Sequence, residues 1–214
     1  MDLPINRFGE ETLPINHSAM ALDYREVEDI LQRGFDPTKN DSRGCNALTY
    51  TMESNVFFSM CCQDDKVACH LSPEEREIKE SEVLRLLLSH ENSRKKINDQ
   101  HLFTYYDRGT LLMAAAKCGN IHSVKVLLEF GASPNINVYA EYRTALSEIL
   151  FAGCNYPEEK WMNVSILLLR YGASIEETER YINFFSHSDP TILGRIEKLK
   201  ERWMWVEICP KEFV

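Results

Sequence analysis

A chain of 214 residues with a formal charge of −9 is long enough for one sizeable core or a short repeat array, and short for two full domains. Its 44% apolar and 10% aromatic content excludes a disordered chain. Its longest apolar runs, such as Leu111 to Ala116, fall far short of the ~20 residues that cross a bilayer, so no membrane contact is expected. The opening Met1-Asp2-Leu3-Pro4 lacks the basic-then-apolar pattern of a secretory signal, Asp2 is not the glycine of a myristoylation site, and Cys209 stands sixth from the end. The acidic balance argues against nucleic-acid binding, because the one basic triplet, Arg94-Lys95-Lys96, reads as a solvated loop. Seven cysteines at irregular spacing, without a CxxC pair, point to reduced thiols in a cytoplasm rather than to a disulfide framework.

After an extension at 1–12, two recurring elements alternate along the chain. The first is a short run beginning at Leu13-Pro14-Ile15-Asn16, at Asn46-Ala47-Leu48-Thr49, at Thr110-Leu111-Leu112-Met113 and at Thr144-Ala145-Leu146-Ser147. The second is an apolar helix face, Val27 to Arg33, Leu84 to His90, Val124 to Phe130 and Ser165 to Tyr171. Three of these faces close on a glycine (Gly34, Gly131, Gly172), the residue that most readily takes the left-handed conformation at a helix end. From the start of the first element to the closing position the span is 21 in both the first and the third copy; the second carries 24 extra residues and the fourth 7. One module length is thus kept, with discrete insertions.

These residues resemble the ankyrin-repeat signature Thr-Pro-Leu-His-x-Ala-Ala followed by Val-x-x-Leu-Leu-x-x-Gly-Ala, over roughly 13–175, with the copy Thr110-Leu111-Leu112-Met113-Ala114-Ala115-Ala116 the sharpest. The resemblance implies an all-α solenoid of antiparallel helix pairs with hairpin-like fingers. The repeats would run 13–45, 46–109 with an insertion at 53–80, 110–143, and 144–175 with an insertion at 152–160. In the family a His at the fourth signature position ties the turn to the helix start. Here Asn16, Thr49, Met113 and Ser147 replace it, so the second and fourth repeats are degenerate and the array is expected to be less stable than a consensus one.

Within the first insertion, Ser72-Pro73-Glu74-Glu75 is a capping box that should open a helix running to about His90, with 56–70 an irregular or short helical elaboration. Asn155-Tyr156-Pro157-Glu158-Glu159 is expected to open the second helix of repeat four in a similar way, with Trp161 on its first turn. The finger at 97–107 is aromatic, carrying Phe103, Tyr105 and Tyr106, either for an interface or folded back onto the repeat. Residues 176–214 predict a further helix pair, about 177–186 and 191–205, that caps the array. Trp203, Met204 and Trp205 could instead form a docking handle.

Catalytic chemistry is not signalled. There is no phosphate-cradling glycine loop, and the acidic pairs Glu74-Glu75 and Glu158-Glu159 suit helix first turns. Cys61, Cys62, Cys69 and His70 form the one dense Cys/His group. Adjacency within each pair hinders convergence on one ion, so no metal, cofactor or catalytic residue is expected, and a Cys/His-centred metal protein or enzyme is a remote alternative. What remains is a surface. Fingers and first helices of such repeats line a groove, placing Arg43, Tyr106, Asp107, Arg108, Tyr139, Glu141, Tyr142 and Arg143 on the fingers, and Tyr50, Met113 and Lys117, beside Thr49, Glu53, Ser147 and Glu148, on the helix side. The expected function is non-catalytic binding of a protein partner by a monomer in the cytoplasm. The irregular insertions are similar in style to the host-directed ankyrin proteins of bacteria or viruses. An adaptor that recruits a larger complex through its C-terminal end or insertion is the alternative.

Overall fold

The computed structural model describes residues 13–61, 71–103, 108–138, 143–185 and 190–208, with the side chains of 55–61, 184, 185, 207 and 208 excepted. The described residues form eleven α-helices and one 3₁₀ turn, with two isolated β-bridges and no strand. The chain divides into two compact units, one of 1–111 with 125–132 and one of 112–124 with 133–214.

In the first unit, α1 (Pro14–Met20) and α2 (Tyr24–Gln32) form the shortest pair. Pro14 opens α1 without a side-chain cap, where its missing N–H costs nothing. Asp23 caps α2 by accepting from the Glu26 amide at 3.1 Å, and Gly34 closes it with φ +86°. Then follow α3 (Ala47–Cys61) and α4 (Pro73–Ser89). The capping box is present: Ser72 Oγ accepts from the Glu75 amide at 3.2 Å, and Glu75 accepts from the Ser72 amide at 2.8 Å. α3, not only α4, absorbs part of the insertion: the helix continues to Cys61, which takes the helical alternative for 56–61. α1 packs on α3, α2 on α4 and α3 on α4. The basic triplet is not a loop throughout: α5 (Glu91–Lys95) contains Arg94 and Lys95, both exposed, and Lys96 is its C-cap.

α6 (Leu111–Lys117) and α7 (Ile121–Glu129) are the sharpest pair of the sequence. Their turn holds Gly119 at φ +65°, and Asn120 Oδ1 accepts from the amides of His122 and Ser123, both at 3.1 Å.

In the second unit, α8 (Ala145–Ala152) and α9 (Glu158–Arg170) are joined by the 3₁₀ turn Gly153–Asn155. The N-cap of α9 is Pro157, which makes no side-chain cap, so the opening expected to mirror Ser72 lacks its hydrogen bonds. Tyr156 points elsewhere: its hydroxyl donates to the Lys117 carbonyl at 3.0 Å, and its ring lies where a Cβ on Gly119 would stand, 3.3 Å away. Lys160 Nζ sits 5.1 Å from the centroid of that ring. α10 (Ile175–Phe185) and α11 (Pro190–Ile208) complete the unit, and α11 packs on α8, α9 and α10. Arg195 crosses Gly153 beside Trp161 and donates to the Leu150 carbonyl at 2.8 Å. The crossing is tight, since a Cβ on Gly153 would meet Arg195 Cδ at 3.1 Å and Trp161 Cγ at 3.2 Å, and both neighbours would have to shift.

Two of the substituted signature positions carry hydroxyls that bond to their own turns. Thr49 Oγ1 accepts from the Asn46 amide at 2.9 Å and donates to the Asn46 carbonyl at 2.8 Å. Ser147 Oγ does the same with Thr144, at 2.9 and 2.8 Å. A hydroxyl makes both bonds at once, so these two turns are tied to their helices without the histidine.

Candidate partner-binding surface

The fingers are built by backbone pairing at their bases. In the first, the Asp41 amide donates to the Cys45 carbonyl at 2.8 Å, while Asp41 Oδ1 accepts from the amides of Arg43 (2.9 Å) and Cys45 (3.0 Å). Gly44, at φ +79°, makes the reversal. In the second, His101 and Gly109 exchange both backbone bonds, at 2.8 and 3.1 Å. In the last, Val138 donates to Arg143 at 3.3 Å.

On the first finger, Arg43 turns inward. Its guanidinium lies 5.6 Å from the centroid of the Tyr50 ring and donates to the Tyr50 hydroxyl, which in turn donates to Asp41 Oδ2 at 2.6 Å. Burial and the bond to Asp41 push the Tyr50 hydroxyl well above its ordinary range, with Arg43 opposing. On the last finger, Arg143 also turns inward, to an ion pair with Glu148; the two side chains are 14% and 9% exposed. Tyr50 and Glu148 occupy the same place, four residues after the caps Asn46 and Thr144. One helix position therefore receives the finger arginine in both copies.

The second finger differs. Its Arg108 is exposed, and the residue four after Thr110 is Ala114, which has no polar group. His101 is buried at the base, with Nε2 3.2 Å from the Lys96 carbonyl and the Phe103 ring edge-on at 6.4 Å. Burial holds its imidazole below the usual value, the Lys96 carbonyl opposing. Phe103 is buried, which realises the folded-back alternative for that aromatic.

Of the residues placed at the surface by sequence, Arg108 is exposed, and Arg43 and Lys117 are half-buried. Arg143 is mostly covered by its own ion pair. Tyr50 and Met113, each 2% exposed, are buried, as are Thr49, Glu53, Ser147 and Glu148. The structure corrects the expectation of an open helix side: these positions turn inward, where Thr49 and Ser147 hold their own caps and Tyr50 and Glu148 hold finger arginines. Tyr106, Asp107, Tyr139, Glu141 and Tyr142 lie outside the described residues. So do Tyr105, Cys62, Cys69 and His70, together with the side chain of Cys61. Among the described residues, no group of three or more His, Cys, Asp or Glu could hold a metal ion, and no helix is long and apolar enough to cross a membrane.

Two side-chain amides that fasten the fingers carry no signal in the repeat signature. Asn98 donates to the Gly131 carbonyl at 3.4 Å within the first unit. Asn135 donates to the Gly172 carbonyl at 2.7 Å and accepts from the Ser174 amide at 2.8 Å within the second. Each stands three residues before the paired position of its finger, His101 or Val138, and that shared spacing was the available signal.

Residues 107–137, which hold the α6–α7 pair and the exposed Arg108, match a family model described as the ankyrin repeat. No curated protein matches the chain. Helix pairs and glycine-closed second helices recur around that matched segment, which is an ankyrin repeat within a chain whose described residues are all helical.

Proposed function

We propose that the chain is a non-catalytic module that binds a partner protein through its fingers, with Arg108 the leading contact. The ankyrin repeat is an interaction fold, and this supports protein binding as the class of function. The observation that carries the residue choice is the contrast among the finger arginines. Arg43 and Arg143 are taken up by Tyr50 and Glu148, while Arg108 is exposed on the second finger. Arginine offers five donors in a fixed fork and is enriched among interface hot spots, so an exposed one on a braced hairpin suits a carboxylate-bearing partner. Ser42 and Lys117 are the next candidates, being exposed and half-buried.

Cys45, Cys118 and Cys154 stand in no disulfide, which supports action in a reducing cytoplasm, and the irregular insertions support delivery of the host-directed kind. The test is affinity capture with the full chain as bait. Arg108→Glu should remove partners that Arg143→Ala retains. Identical partner lists from wild type and Arg108→Glu would take the second finger out of the site.

A further inference from the structure

α11 has two unlike faces. Ile192, Ile196, Leu199 and Val206 are buried against the unit. On the opposite side, Leu193, Glu197, Glu201, Met204 and Trp205 follow i, i+4, i+8, i+11, i+12 spacing, which is one stripe of a helix. Leu193 is 38% exposed, Met204 60% and Trp205 62%. A terminal element of a repeat array ordinarily shows a polar outer face, so two adjacent large apolar side chains there are out of place for a simple cap.

The charges of α11 are sorted as well. Lys198 is drawn to Glu158 at 2.5 Å, Lys200 pairs with Glu179, Arg195 is bound to the Leu150 carbonyl, and Arg202 on the flank is likewise engaged. The charges carried within the stripe itself are the two carboxylates Glu197 and Glu201, both exposed. An apolar track bearing only acids is complementary to a helix that presents apolar side chains interleaved with Lys or Arg. From this geometry we infer that the outer face of α11 docks a basic amphipathic helix of a partner protein. The surface shares no residue with the fingers and goes beyond the reading of Arg108, so either one can fail alone.

The experiment uses the full chain and a fluorescein-labelled synthetic peptide of about 18 residues, five turns, with leucines and lysines interleaved on one face and glutamines on the other. Fluorescence anisotropy at low ionic strength should show saturable one-to-one binding. Glu197→Lys/Glu201→Lys and, separately, Trp205→Ala should each weaken it at least about tenfold, with far-UV circular dichroism unchanged. Glu159→Lys/Glu176→Lys makes the same change of net charge at exposed positions elsewhere and should leave binding within about twofold. Equal weakening by that control, or no effect of Trp205→Ala, overturns the proposal. So does self-association of the wild type that Trp205→Ala abolishes, which would give the face to a second copy. Binding that appears only after removal of residues 209–214 overturns it too, by giving the face to the chain's own end.

Discussion

The first and the last finger solve one problem with different chemistry. Both return an arginine to the helix position four residues past the cap. In one the acceptor is a buried tyrosine braced by Asp41, and in the other it is Glu148. The tyrosine clamp combines ring packing, a cation over a π face and two hydrogen bonds, so most of its contribution is burial and shape. The glutamate clamp is a charge pair in a mostly dry site, where its worth depends on both members being present. The finger arginine is therefore held chiefly by packing in the first copy and by electrostatics in the last.

The sharpest way to break the comparison is at Tyr50. Tyr50→Ala removes a fully buried ring from the cluster with Met20 and Cys45 and should cost about 3–5 kcal/mol, read as a lower urea midpoint. Tyr50→Phe keeps the ring and strands the groups on Asp41 and Arg43, for about 1–2 kcal/mol. Equal costs for the two would show that the hydroxyl, not the ring, does the holding.

Next in size is the glutamate clamp. A cycle of Arg143→Ala, Glu148→Ala and the double variant should return a coupling of about 1–3 kcal/mol. A coupling near zero would place this pair with exposed ion pairs such as Arg33 with Asp29 and remove the electrostatic half of the contrast.

The smallest effect concerns the bases of the fingers, where His101 stands in the place that Val138 takes in the last finger. His101 is held below its ordinary value of 6.5 by burial, so the folded chain binds fewer protons than the unfolded one just below that pH. Its contribution is complete above pH 6.5 and is lost as the pH falls through the window toward the lower folded value. The charged groups acting on it are Asp99, which favours the proton, and Lys96, which opposes it. Urea midpoints should fall less between pH 7.5 and pH 5 in His101→Val than in wild type; equal falls would assign the acid sensitivity to other groups.

Much of this architecture was legible in the sequence because its signals are local. Glycines at 34, 131 and 172, the Ser72-Pro73 capping box and the apolar periodicity of α11 each report on a few neighbouring residues, and each element formed where those residues lie. The site was less legible because exposure is decided by what the rest of the fold lays across a position. Tyr50 and Met113 sit where a ligand-facing residue is expected from the signature, yet one is roofed by Arg43 and both are buried. The loss of the signature histidine is a related case: Thr49 and Ser147 are poor matches in a pattern and good matches in hydrogen-bonding capacity. The amides Asn98 and Asn135 carry their meaning only through carbonyls 33 and 37 residues away.

The short segment 153–158 behaves like a splint. By Tyr156 it fastens the Lys117 carbonyl, by Gly153 it makes room for Arg195, and by Glu158 it meets Lys198. This stretch of the insertion, which looks expendable beside a regular repeat, thus joins the turn before it to the closing helix after it. Trimming the loop back to the regular length would undo both fastenings in a single stroke, so the irregularity is the part of this repeat least free to be lost.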